Sequence, residues 1–245
     1  MTRPTKRELR DARRSERRAT EQAEAGRALR RRRLSWLGGA AALAALVVGA
    51  AIAVSSSGGA NPAPPPAASS LLRGVPERNG VLGDPDAPVT VTEFVDLQCP
   101  VCAQAAATTL PPLIERHVRS GRVKLEARML HFLGPDSVRA ARVAAGAQAQ
   151  DRLWPFLEAF FAAQGAENSG YVTDGFLRDV ARAAGVDADR ALDHAGTGAA
   201  QAPLARANAD AGRLGVDATP TFAIARGDGP PTVVSAGELL AELER

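Results

Sequence analysis

Cys99 and Cys102 are the only cysteines in a chain of 245 residues, and two residues lie between them. Thiols at C-x-x-C spacing can close into a small, strained, reducible disulfide. The pair ends the stretch Glu93-Phe94-Val95-Asp96-Leu97-Gln98-Cys99-Pro100-Val101-Cys102, which follows a β-prone run from Val89 and precedes a helix-compatible segment. Cys99 therefore falls at a helix start, where the helix dipole and unpaired N–H groups favour a thiolate, a good leaving group and a reactive sulfur. A purely structural bridge fits poorly. It would close a very short loop and remove little entropy from the unfolded chain. A domain of about 165 residues can also bury a sufficient core without staples.

The elements around the pair follow from hydrophobic period and turn residues. Val81-Leu82 reads as a short edge strand, and Asp84-Pro85-Asp86-Ala87-Pro88 as a turn. Val89 to Leu97 reads as a central strand. Pro100 sits just inside the next helix, where its missing N–H costs nothing. That helix runs to about Arg119, and Pro111-Pro112 must kink or break it. Arg122 to Leu130 alternates as a second strand. From Asp136 to about Gly215 the chain is Ala-rich with apolar spacing near 3.6. Helices are expected at Asp136–Gln150, Leu153–Ala163, Asp174–Ala184, Asp187–His194 and Ala199–Leu214. Thr221 to Ala225 and Thr232 to Ser235 form a hairpin around Gly227–Pro231, and Gly237 to Glu244 closes with a short helix. The fold class expected is α/β: a βαβ half joined to a ββα half, with a helical block at 136–214 inserted between them.

Charge separates the N-terminal region from this domain. Residues 1–33 hold 13 Lys/Arg and 5 Asp/Glu, whereas residues 34–245 hold 17 and 22. The basic balance belongs to the tail and implies no basic face on the domain, so nucleic-acid binding loses its main support. Leu34 to Val54 is an uncharged run of 21 residues after Arg30-Arg31-Arg32-Arg33. It is long enough for one transmembrane helix, with the arginine end in the cytoplasm and the C-terminal domain outside. A cleaved signal peptide, with Ala51-Ile52-Ala53 as the cleavage site, is the rival. The long basic segment and the length of the apolar run favour an uncleaved anchor. The domain expectations are a basic arm at 1–33, a transmembrane helix at 34–54, a Ser/Gly/Pro-rich linker at 55–74 and the α/β domain at 75–245.

Glu93-Phe94-x-Asp96-x-x-Cys99-Pro100-x-Cys102, the helical insertion, and Thr219-Pro220-Thr221-Phe222 before a strand together resemble the DsbA-like thiol:disulfide oxidoreductases of the thioredoxin superfamily. The likeness is closest to the membrane-anchored forms of Gram-positive bacteria. It implies an exposed, nucleophilic Cys99 and a shielded Cys102. It also implies a cis Thr219-Pro220 bond opposite the pair, where Thr219 offers main-chain groups to an extended substrate. The implied reaction is oxidation of exported proteins bearing free cysteines, with a quinone-linked membrane protein restoring the disulfide and no cofactor. Pro100 and Val101 tune the poise. Val101 replaces the histidine typical of strong oxidants in the family, and a valine supplies no cation beside Cys99. Glu93 is the choice for a buried acid that relays the proton of Cys102. Because Glu93 and Asp96 are three apart on a strand, only one of them is expected to face the core. A solvated strand carboxylate is the plainer reading of Glu93.

The rivals are a reductase or isomerase of the same fold and, in another class, a metal-binding or adhesive domain. His117, His131 and His194 are scattered at spacings that fit no common zinc pattern. They read as a helix-end surface residue, a polar strand end and a helix cap. Trp154, Phe156, Phe160 and Phe161 recur at helical spacing and read as core.

Overall fold

The computed structural model describes residues 70–227 and 229–245. The basic arm, the apolar run Leu34 to Val54 and most of the linker fall outside the described residues. Among the described residues, no helix is long and apolar enough to cross a membrane.

A 3-10 turn, Ser70–Leu72, packs its two leucines against the core. The elements that follow are β1 (Glu77–Arg78), β2 (Val81–Leu82), β3 (Val89–Val95), α1 (Pro100–Thr108) and α2 (Leu110–Leu113). A single π-helical turn, Ile114–Val118, leads to β4 (Val123–Met129). Five helices come next: α3 (Pro135–Gln148), α4 (Leu153–Ala162), α5 (Asp174–Ala183), α6 (Ala188–Ala195) and α7 (Gln201–Leu214). β5 (Thr221–Arg226), β6 (Thr232–Val234) and α8 (Leu239–Leu243) close the chain.

The six strands form one mixed sheet in the order β1-β2-β4-β3-β5-β6. β3 is central. It runs parallel to β4, with Val91 opposite Leu125, and antiparallel to β5, with Val91 opposite Ile224. The order gives a βαβ half and a ββα half flanking α3 to α7. Val81-Leu82 is not the edge strand that its sequence suggests. Glu77-Arg78 pairs outside it, and the two strands form a tight hairpin.

The strand period sorts the side chains onto two faces. Val91, Val95, Leu125, Phe222 and Ile224 face a core filled by α1 to α6 and α8. Phe94 and Ala223 face the other way and meet Ala207 and Ala211 of α7. The long expected helix after Cys99 is broken near Thr109. Pro111 and Pro112 cannot donate backbone bonds, and the next turn closes i to i+5, Arg119 N–H donating to the Ile114 carbonyl at 2.9 Å. Helices α3 and α6 approach so closely at Gly146 that a Cβ there would lie 2.5 Å from the Ala191 carbonyl oxygen. Trp154, Phe156, Phe160 and Phe161 are all buried, and Phe160 meets Phe176 edge to face at 5.2 Å. His117 is buried at 3% exposure with Nε2 unpartnered, not a surface residue, because the π turn rolls it inward. Burial, and next Arg122, lower its pKa.

The helical insertion is tied to the sheet margin. Arg152 at the start of α4 makes no side-chain cap; Glu77 of β1 supplies the acceptor from outside. Its carboxylate accepts the N–H of Leu153 at 2.6 Å and that of Trp154 at 3.3 Å. The Trp154 indole donates to the Gly80 carbonyl at 3.0 Å, and Asn79 N–H donates to Asp151 at 2.7 Å. Glu77→Ala strands two helix-start donors against the core. It is expected to cost about 1–3 kcal/mol, read as a lower urea midpoint with an unchanged m-value.

Candidate active site

Strand β3 ends at Val95, and the chain turns through Asp96, Leu97 and Gln98 before α1 begins. Cys99 is the N-cap of α1, in an extended conformation, and Pro100 occupies the first helical position. The Cys102 N–H points at Cys99 Sγ from 3.4 Å, so a helix-start donor is aimed at the sulfur. On the other side lies the loop before β5. The Thr219-Pro220 bond is cis, and Cys99 Sγ donates to the Thr219 carbonyl at 3.4 Å. Both cysteines are free thiols.

This closeness has a topological cause. β3 lies between β4 and β5, so the end of β4 and the start of β5 both arrive at its C-terminal end. The dithiol sits between the loop after β4 and the loop before β5. Cys99 is covered to 6% exposure, in place of the exposed sulfur that the resemblance implies. The Thr219 segment covers one side of it. Cys102 is fully buried, and burial pushes its thiol pKa up, against smaller opposing hydrogen bonds to the Asp96 backbone and Thr219. Val101, between them, is 53% exposed.

Both acids before the pair are buried, which corrects the expectation that only one would be. Asp96 lies beyond the end of β3, so strand parity does not govern it. Its carboxylate accepts the N–H of Gln98 at 2.9 Å, of Phe132 at 3.1 Å and of Leu133 at 3.2 Å, and the Ser137 hydroxyl at 2.7 Å. It fastens the dithiol turn to the loop after β4. Glu93 shares its face of β3 with Val91 and Val95, the face covered by α1, and is 1% exposed. It is not a solvated strand carboxylate. Its Oε1 has no hydrogen-bond partner, and burial pushes its pKa up to about 8.

Three further residues hold the turn, and all come from the insertion. Gln164 donates through Nε2 to the carbonyls of Leu97 at 2.8 Å and Cys99 at 3.2 Å. The Gln98 amide donates to the Tyr171 hydroxyl at 2.8 Å, and its oxygen accepts the Asn168 N–H at 3.1 Å. Asn168 Nδ2 also donates to the Leu133 carbonyl. It fills the space over Gly134, whose φ of +98° any side chain would strain. A glutamine in a glycine-bounded loop carries no sequence signal for this task. His131 follows β4 with a buried, unpartnered Nδ1, and His194 lies in the last turn of α6. Among the described residues, no three His, Cys, Asp or Glu side chains converge as metal ligands would.

The profile of the family described as Thioredoxin matches residues 77–228. The chain belongs to the thioredoxin family. The probable disulfide bond formation protein D of Bacillus anthracis is 35% identical over 103 residues, which are 41% of this chain and 48% of that protein. The chain thus spans about half the length of the curated relatives it matches. Among solved structures, a thioredoxin-like oxidoreductase from Silicibacter pomeroyi is 29% identical. It superposes with a TM-score of 0.54 over 67% of this chain and 90% of its own. Oxidised BdbD from Bacillus subtilis is 25% identical, with a TM-score of 0.60 over 75% of this chain and 97% of its own.

The raised Glu93 carboxyl fixes a pH dependence. Folding strengthens its hold on a proton, so stability is fully present below the unfolded value of 4.5 and is lost as pH rises toward about 8. Glu93→Gln should flatten that slope and be more stable than the parent above pH 8, by on the order of a few kcal/mol. Urea denaturation at a series of pH values measures it.

Proposed function

We propose that this chain is an extracytoplasmic thiol:disulfide oxidase, held to the membrane by the helix expected at Leu34 to Val54, that forms disulfides in exported proteins. The observation that carries the reading is Cys99 Sγ, set between the start of α1 and the Thr219 carbonyl, with Cys102 buried behind it. The names of the curated relatives point to the same chemistry.

In the reaction, a client thiolate attacks Cys99 of the Cys99–Cys102 disulfide. The client–Cys99 bond forms, the Cys99–Cys102 bond breaks, and Cys102 leaves with the electron pair. A thiolate buried there is costly, as the upward shift of the Cys102 thiol expresses. The leaving sulfur therefore needs a proton, and Glu93, a carboxyl kept neutral near pH 7 on the sheet face beneath α1, is suited to give it. A second client thiolate then attacks the client's own sulfur. Cys99 departs as a thiolate, stabilised at the helix start, and the client leaves oxidised by two electrons. A quinone-linked membrane protein takes those electrons and restores the disulfide.

Client contacts follow from the surroundings of Cys99. Thr219 presents backbone groups to an extended chain beside the sulfur. Val101 and Phe132, each 53% exposed, are offered as an apolar rim for the client. The Phe132 N–H is bound to Asp96, which places the ring's backbone next to the dithiol turn. Such a rim suits unfolded segments, which still expose their apolar side chains. Val101 in place of a cation tunes the pair toward a milder oxidant than a histidine would.

Cys102→Ala should leave the attacked sulfur without its resolving partner and accumulate mixed disulfides between Cys99 and exported proteins in cells. Non-reducing gels followed by mass spectrometry identify them. The parent chain should have a reduction potential well above about −270 mV, the thioredoxin value. A potential at that value would reverse the direction of flow to a reductase.

A further inference from the structure

Among the described residues, the backbone donor aimed at Cys99 Sγ is the Cys102 N–H, and that hydrogen is contested. The same N–H lies 3.1 Å from the Cys99 carbonyl oxygen and 3.4 Å from the sulfur. Three-centre bonds of this kind are common at helix ends. The oxygen has two further donors. The Ala103 N–H reaches it at 3.2 Å, the ordinary i to i−4 bond of the first helical turn. Gln164 Nε2 reaches it at 3.2 Å from the insertion. A carbonyl oxygen offers two lone pairs, so three donors compete for them. With Ala103 and Gln164 in place, the Cys102 hydrogen is surplus to the oxygen and serves the sulfur. Gln164 is itself held. Its side-chain amide also donates to the Leu97 carbonyl at 2.8 Å, and its backbone N–H donates to the Phe161 carbonyl near the end of α4 at 3.3 Å.

We infer that Gln164 is a positioning residue for the thiol reaction: by occupying the Cys99 carbonyl, it frees the Cys102 N–H for the Cys99 thiolate. The sulfur needs that donor most when charged. As a thiol, Cys99 donates to the Thr219 carbonyl. As a thiolate it has no proton to give, faces an oxygen that repels it, and depends on the helix start, where a bond to a charged acceptor is stronger than a neutral one. Without the Gln164 amide, the carbonyl draws the Cys102 hydrogen back. The thiolate is then less stable, and the pair is reduced less readily. Gln164 thus acts from the insertion, 65 residues away in sequence, on the strength of the pair as an oxidant. The inference rests on the dithiol exchange proposed above.

The test uses the full chain in detergent. The reduced chain is titrated by the ultraviolet absorbance of its thiolate, and the oxidised chain is equilibrated with glutathione. Gln164→Leu removes the donor at similar size. Its thiolate absorbance should appear at higher pH, by about a threefold loss of acid strength, a fraction of one hydrogen bond to a charged group. The glutathione equilibrium should shift about threefold toward the disulfide where the thiolate is fully formed, about 14 mV for two electrons. Gln164→Glu, whose carboxylate cannot donate, should move both at least as far, and it carries the test if the leucine variant does not fold. Tyr171→Phe loosens the same turn through Gln98 without touching the Cys99 carbonyl, and should leave the thiolate titration in place. An unmoved titration in a folded Gln164→Leu or Gln164→Glu chain, or an equal shift in Tyr171→Phe, overturns the inference. These readings are differences from the parent, whereas the oxidase reading fails in the parent's own potential, so the two failures are separate results.

Discussion

The Asp96 carboxylate holds the structure around the dithiol in place. It is wholly buried, and it collects backbone N–H groups from its own turn and from the loop after β4, together with the Ser137 hydroxyl at the start of α3. A buried carboxylate is tolerable only when its oxygens are filled in this way. Because they are filled, three separate segments keep fixed positions around the end of β3. Cys99 inherits its place from that arrangement, as does Phe132. Gln164, Asn168 and Tyr171 complete the clasp from the insertion side, the last two through Gln98 of the turn. The reactive turn is therefore held by side-chain hydrogen bonds from both directions, and its own sequence does little of the holding.

The two acids of β3 and its turn illustrate how the same residue type serves opposite ends. Asp96 is surrounded by donors that fill its oxygens. Glu93, three residues earlier, has walls of Leu, Ala and Phe and an unpartnered oxygen, and burial alone raises its hold on a proton. One acid positions and the other is free to exchange its proton. Separated environments of this kind allow a single short stretch to do structural and chemical work together.

Much of this was legible in the sequence, and the reasons are local. The C-x-x-C pair, Pro100 at the helix start and Thr219-Pro220 before a strand are short-range patterns, and the structure brings them together. The helices between Asp136 and Leu214 follow from apolar spacing near 3.6, and Pro111-Pro112 marks where the first long helix fails. Features set by tertiary contact were not visible. Glu77-Arg78 is too short and polar to read as a strand, yet it pairs outside Val81-Leu82 and caps α4. Asp96 escaped the alternation rule because the strand stops one residue before it. His117 is turned inward by a π turn that no side-chain period announces. Gln98, Gln164 and Tyr171 sit 73 residues apart or fewer in sequence and meet only after the insertion folds back.

The clasp made by Gln164, Asn168 and Tyr171 bears on how such sites can be moved between proteins. The four residues from Cys99 to Cys102 look like a portable cassette. The Cys99 carbonyl, the Leu97 carbonyl and the Gln98 side-chain amide are nevertheless bound by a loop of the insertion, so the transferable unit includes that loop. Transplanted into a relative whose insertion is shorter or differently wound, the same cassette would lose those partners, and its thiols would answer to a different backbone. Engineers, and lineages that trade domains, would have to carry both pieces or rebuild one of them.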